Sequence, residues 1–143
     1  MARQLALLVA FAIACTLCGC GNVEWMQKHE IYCRMDEKLE IRDTLYFGLS
    51  IPGGGDVADA DWNAFADDAI GHAFPSGFTV ADARGRWRGA DGEAVSEPSR
   101  VVTIVHPDDG ASDAAIRAIV QRYRTTVRQE AVLRERTSVC VSP

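Results

Sequence analysis

The chain of 143 residues contains no apolar run of the roughly 20 residues that a membrane-spanning helix needs. Its longest, Leu5 to Ala14, is about half that length. No glycine-rich loop leads into a helix carrying Lys, which excludes a P-loop; Gly53-Gly54-Gly55 lacks the required spacing and reads as a turn. No serine stands in a nucleophile elbow. No His lies at ligand spacing from Cys33 or Cys140, so no zinc site is expected, and nothing calls for another metal or a cofactor. Positive charge is in deficit, with 15 Lys and Arg against 20 Asp and Glu and a formal net charge of -5. An acidic chain does not seek phosphate backbones, which excludes nucleic acid as the expected partner.

What is present begins with an export signature. Arg3 supplies a short positive start, and Leu5 to Ala14 has the length of a signal-peptide core. Leu17-Cys18-Gly19-Cys20 then resembles the bacterial lipobox, in which an aliphatic residue and two small ones precede the lipidated cysteine. Cys15 and Cys18 fit that spacing worse, since Ala12 stands three places before the first and Leu17 directly before the second. The expectation is a lipoprotein signal peptide over 1–19, Cys20 as the acylated (palmitate-bearing) first residue, a lipid-anchored tether over 20–38, and a single domain over 39–143. Each buried CH₂ contributes about 0.8 kcal/mol, so two or three acyl chains hold a protein on a membrane where one does not. Gly21, rather than an Asp, follows Cys20, which by resemblance to Gram-negative sorting directs the protein to the outer membrane, facing the periplasm. The competing reading is an ordinary cleaved signal with a chance cysteine.

Five cysteines divide accordingly. Cys15 and Cys18 leave with the signal, Cys20 carries lipid, and Cys33 and Cys140 remain to pair in an oxidising compartment.

Leu45, Phe47, Leu49 and Ile51 alternate with Tyr46, Gly48 and Ser50, a strand starting near Ile41 and ended by Pro52 to Asp56. A helix over 59–73 follows, with Trp62, Phe65, Ala66, Ala69, Ile70 and Ala73 on one stripe. Phe78 to Arg88 reads as a second strand, with Gly85 as a bulge, and Gly89 to Gly92 as a turn. Arg100 to His106 is a third strand, Pro107 to Gly110 a break with a helix cap, and 112–128 a second helix burying Ile116, Ile119, Val120, Tyr123 and Val127. A last strand runs from Ala131 to Val141. The order β-α-β-β-α-β is the split βαβ of an α+β, ferredoxin-like sandwich, an antiparallel sheet with two helices on one face. The third strand is apolar on both faces, as a central strand should be, and the charged second and fourth strands suit the edges. The open face then needs cover, from a second subunit in a homodimer or from the segment around 31–41.

Leu45-Tyr46-Phe47-Gly48-Leu49-Ser50, Trp62 and Phe65, Gly85-Arg86-Trp87-Arg88-Gly89, Glu97-Pro98-Ser99, the run ending Ile104-Val105-His106, and Val139-Cys140-Val141 together resemble an uncharacterised bacterial family, domain of unknown function 3574, over roughly residues 40–143. The resemblance implies a secreted or lipid-anchored protein with a cysteine ahead of the first strand, as Cys33 is here. Ala58 stands where the family tends to place a Ser cap. The family carries over no activity and no catalytic residue.

Three groups could carry chemistry. Trp87, flanked by Arg84, Arg86 and Arg88, could form a ring-stacking or anion-binding edge, against the plainer reading of a packed Trp among solvated arginines. His106 ends a central strand beside Asp108 and Asp109 and could move a proton, against the plainer reading of a turn with a helix cap. His72 sits four residues after Asp68, the spacing of a surface ion pair. The expected function is a non-enzymatic binding or structural module of the cell envelope. The alternative is a small-molecule enzyme resembling the dimeric α/β-barrel oxygenases, with Tyr46, Trp87 and His106 around one pocket.

Overall fold

The computed structural model describes residues 31–89 and 91–142. The segment expected as a signal peptide, Cys20 and residues 21–30 of the expected tether lie outside the described residues. One compact unit begins at Ile31. No helix among the described residues is long and apolar enough to cross a membrane.

Four strands form one antiparallel sheet: β1 (Lys38–Gly48), β2 (Thr79–Arg88), β3 (Ala94–His106) and β4 (Leu133–Val141). Their order is β2-β3-β1-β4, with the two apolar strands inside and the charged ones at the edges. Helix α1 (Asp59–Phe65) continues directly into a π-helical segment, Ala66–Gly71, and α2 spans Gly110–Val127. This is the α+β, ferredoxin-like arrangement expected from the sequence.

The period-two pattern decides what each face of the sheet meets. Leu45 pairs with Val102 across β1 and β3, and Phe47 lies on the same face two residues on. These pack with Trp62, Ile70, Ile116, Ile119 and Tyr123 from the helices into one buried core. Phe47, Trp62, Phe65 and Tyr123 meet edge to face or tilted, with centroids 4.8–5.9 Å apart. Such aromatic pairs add about 0.5–1.5 kcal/mol each beyond their buried area. Both helices therefore cover the face bearing Leu45 and Phe47. The other face carries Tyr46, Val101, Val105 and Leu133, of which Val105 and Leu133 are exposed.

The helix ends follow from local chemistry. The Asp109 side chain accepts the backbone N–H of Ser112 at 2.7 Å and caps α2, and Arg128 in the left-handed region (φ 58°) ends it. Ala58 caps α1 with no side-chain hydrogen bond, yet the helix starts at Asp59, where Asp59 and Asp61 suit its positive end.

Several local expectations change. Gly85 is not a bulge, because β2 and β3 pair one to one from Thr79↔Thr103 to Arg88↔Ala94. β1 ends at Gly48, not Ile51: Ile51 instead donates its N–H to the Gly55 carbonyl in a turn. β3 starts at Ala94, six residues before Arg100, and contains Pro98. The Pro98 carbonyl accepts the N–H of Leu49, so Pro98 faces the side where β1 has already ended. Its missing N–H breaks no ladder bond there. The π-helical segment shifts the α1 stripe, so that Phe74 is buried while Ala73 is exposed.

Cys33 and Cys140 form a disulfide, with Cα atoms 5.4 Å apart and 107 residues of separation. It fastens residues just ahead of β1 to β4, the neighbour of β1 in the sheet.

Candidate functional site

The open face of the sheet carries a cavity of about 470 Å³ lined chiefly by Tyr46, Gly85, Trp87, Glu97, Val101 and Leu133. Its position follows from strand register. Gly85 pairs with Glu97, Ala83 with Ser99 and Trp87 with Val95 on β2 and β3, while Gly48 pairs with Ser99 and Tyr46 with Val101 on β1 and β3. All of these point away from the helices.

Glu97 is the chemical centre of this cavity. Its carboxylate is buried, at 5% exposure. Oε1 accepts the indole N–H of Trp87 at 2.8 Å, and Oε2 accepts the backbone N–H of Ser50 at 3.3 Å. Two glycines clear the space. A Cβ on Gly48 would stand 2.4 Å from Glu97 Oε1, and one on Gly85 would stand 3.0 Å from Ser99 Oγ. Glycine inside a strand marks close approach of another group; at Gly48 that group is the Glu97 carboxylate and at Gly85 it is the Ser99 hydroxyl. The loop supplying the Ser50 N–H is held by Leu49 donating to the Pro98 carbonyl and by the Gln129 amide donating to the Ser50 carbonyl. Beneath, Tyr123 donates its hydroxyl proton to the Gly48 carbonyl at 2.7 Å. Burial, with the charge of Glu97 adding to it, pushes the Tyr123 phenol well above its ordinary range, so it remains a donor.

Tyr46 donates to Glu135 at 3.0 Å, a hydrogen bond that raises its phenol pKa above the usual value. Tyr46 and Trp87 thus line one cavity. His106 does not join them. It sits on the helix-covered face, 3% exposed, with its ring 5.5 Å from that of Phe74. Nε2 donates to Asp43 Oδ2 at 2.8 Å, and Nδ1 lies 2.8 Å from the Pro107 carbonyl.

Asp43, absent from the sequence reading, is fully buried and anchors an ionic network. Arg134 binds it bidentately through Nε and an Nη, both at 2.7 Å, and reaches on to Asp113 at 2.8 Å. Arg136 joins Asp113 to Asp108. Burial pushes the Asp43 carboxyl up, but the hydrogen bonds and charges of Arg134 and His106 outweigh it and hold the group below its ordinary value. This network ties β1, β3, α2 and β4 together.

The arginine edge is not assembled for stacking. Arg84 and Arg86 line the cavity wall from β2, but strand alternation sends their side chains to the side opposite Trp87. Arg88 donates to the Gly92 carbonyl at 2.8 Å. His72 stands 3.5 Å from Asp68 on the surface, as its spacing suggested.

Glu97 and Asp43 both left a trace in the sequence. Asp43 falls on the buried phase of the alternation Ile41, Asp43, Leu45, Phe47, and Gly48 and Gly85 interrupt two strands. Only pairing shows that Gly48 makes room for the Glu97 carboxylate and Gly85 for the Ser99 hydroxyl.

Among solved structures the chain is similar in fold to a phage SAM lyase bound to S-methyl-5'-thioadenosine (TM-score 0.57, 14% identity, covering 73% of this chain and 90% of that one). The same lyase in its apo state gives a TM-score of 0.53 at 16% identity, covering 80% and 97%. A CutA protein from Synechococcus elongatus PCC7942 gives 0.42 at 12% identity, covering 75% and 83%. No curated protein matches the chain. Residues 42–142 match the family model described as "Protein of unknown function (DUF3574)", and the chain belongs to that family.

Proposed function

We propose that the protein is a lipoprotein of the cell envelope, anchored through Cys20 to the outer membrane and facing the periplasm, whose domain binds a small molecule in the open-face cavity. One observation carries the binding reading: a buried carboxylate, Glu97, lines a largely apolar cavity of about 470 Å³, with Gly48 clearing its place. Ligand sites are typically concave, mostly apolar and about 300–1,000 Å³, with a few fixed polar groups. The Cys33–Cys140 bridge supports export, because disulfides persist in oxidising compartments.

A binding module is favoured over an enzyme because the proposed catalytic set does not converge. Tyr46 and Trp87 share the cavity, while His106 is committed to Asp43 on the far face. The likeness to a SAM lyase is a likeness of fold and assigns no reaction to this chain. A homodimer seated on the open face is the second reading, favoured by the exposure of Leu133 (62%) and Val105 (40%) there.

Two experiments test the proposal. Labelling with a clickable fatty acid should mark the protein and be lost in a Cys20→Ser variant; persistent label in that variant refutes the anchor. A thermal-shift screen of a small-molecule collection should yield stabilising compounds whose effect disappears in Leu133→Trp, where an exposed position gains a ring that fills the cavity. Compounds that stabilise both forms equally bind elsewhere and refute the site. Sedimentation of a monomer at micromolar concentration would refute the homodimer.

A further inference from the structure

We propose that the ligand of this cavity is a small organic cation, an amine-bearing molecule with an apolar body, whose N–H groups pair with Glu97. The inference rests on the cavity being a binding site and adds the charge class of its occupant.

The argument is a contrast between the two buried carboxylates. Asp43 is neutralised within the fold by a bidentate arginine and by His106. That pairing is what a structural buried acid requires, because an uncompensated charge away from water is costly. Glu97 has only two neutral donors, the Trp87 indole and the Ser50 amide, and makes no ion pair with any cation among the described residues. A carboxylate has about four acceptor positions, so roughly two are left without a donor on a residue that lines the cavity. A positively charged N–H donor satisfies both the unused positions and the unbalanced charge.

Other ligand classes fit less well. A metal ion needs several oxygen, nitrogen or sulfur ligands, and Glu97 is a lone carboxylate. The one grouping of ligand-type side chains among the described residues, Cys33, Glu37 and Cys140, is elsewhere, and its thiols are joined in the disulfide. An anion would meet the Glu97 charge directly, while Arg84 and Arg86 project to the other side of β2. The remaining wall is mostly apolar and aromatic, with Tyr46, Trp87, Val101 and Leu133, and Ser99 adds one hydroxyl. Aromatic surface favours cations and accommodates a hydrocarbon body.

The test uses three probes that share a ring and a two-carbon reach: 2-phenylethylamine, 2-phenylethanol and phenylacetate, titrated calorimetrically into the purified full protein at pH 7. The amine should bind at least tenfold more tightly than the alcohol, and phenylacetate should bind more weakly than either. Glu97→Gln should weaken the amine roughly 10- to 100-fold and leave the alcohol unchanged, since a hydrogen bond to a charged group is lost. If Glu97→Gln does not fold, the amine-to-alcohol ratio in the wild-type protein decides. An alcohol or phenylacetate that matches the amine, with all binding lost in Leu133→Trp, overturns the cation and leaves the binding site standing. No binding of any probe at millimolar concentration counts against both.

Discussion

Replacing Asp43 by Asn should destabilise the fold by about 3 kcal/mol. Removing one partner of a buried ion pair strands the other and costs about 3–5 kcal/mol. Here Asp43 is fully buried and receives three hydrogen bonds, two from Arg134 and one from His106. The lower end of that range applies, because the Arg134 side chain is 22% exposed and keeps Asp113 at 2.8 Å. Urea unfolding followed by far-ultraviolet circular dichroism reads this directly. With a slope near 2 kcal/mol per molar, typical of small domains, the midpoint should fall by about 1.5 M. A second limb is the pH dependence. The folded Asp43 carboxyl lies below its unfolded value, so its stabilisation is complete above about pH 4 and is lost as pH falls through the lower folded value. Wild type and Asp43→Asn should therefore differ most near neutrality and converge in acid. A loss under about 1 kcal/mol, or curves that stay parallel in acid, would refute the claim that this carboxylate is held ionised by its partners.

Other expectations follow from single contacts. Breaking the Cys33–Cys140 bridge with Cys33→Ser should lower stability by about 4–5 kcal/mol in the chain-entropy model, given a separation of 107 residues, as measured by urea unfolding. The wild-type protein should show no free thiol at either position on titration in denaturant. Asp109→Ala removes the cap that receives the Ser112 N–H and should cost about 1 kcal/mol in a thermal melt. Gly48→Ala places a methyl group within 2.4–2.6 Å of the Glu97 carboxyl and should drive that group off Trp87. The Trp87 fluorescence, isolated by a Trp62→Phe, Trp25→Phe background, should shift; an unchanged spectrum would contradict the packing.

Much of the fold was legible along the chain because it rests on local periodicity. The alternation Leu45, Phe47 against Tyr46, Gly48 is a strand in any context that offers one buried face, and Ile116, Ile119 and Tyr123 mark a helix stripe in the same way. The break at Pro107 to Gly110 carried its own cap in Asp109. Where local reading failed, a non-local bond had intervened. β3 extends through Pro98 only because β1 stops alongside it, and Gly85 looked like a bulge only because its neighbour across the strand was unknown.

The candidate site was less legible for a sharper reason. Tyr46 and Trp87 stand out by residue type, whereas Glu97 enters only within the run Glu97-Pro98-Ser99 of the family resemblance, since one Glu before a Pro has no spacing that marks a site. Pattern and composition determined the element order and the edge or central place of each strand, because these depend on which residues prefer water. The tertiary structure alone decided that Asp43 has charged partners and Glu97 has none among the described residues. The charged partners of Asp43, His106 and Arg134, lie 63 and 91 residues away along the chain, and electrostatic compensation depends on distance in space, not on separation in sequence.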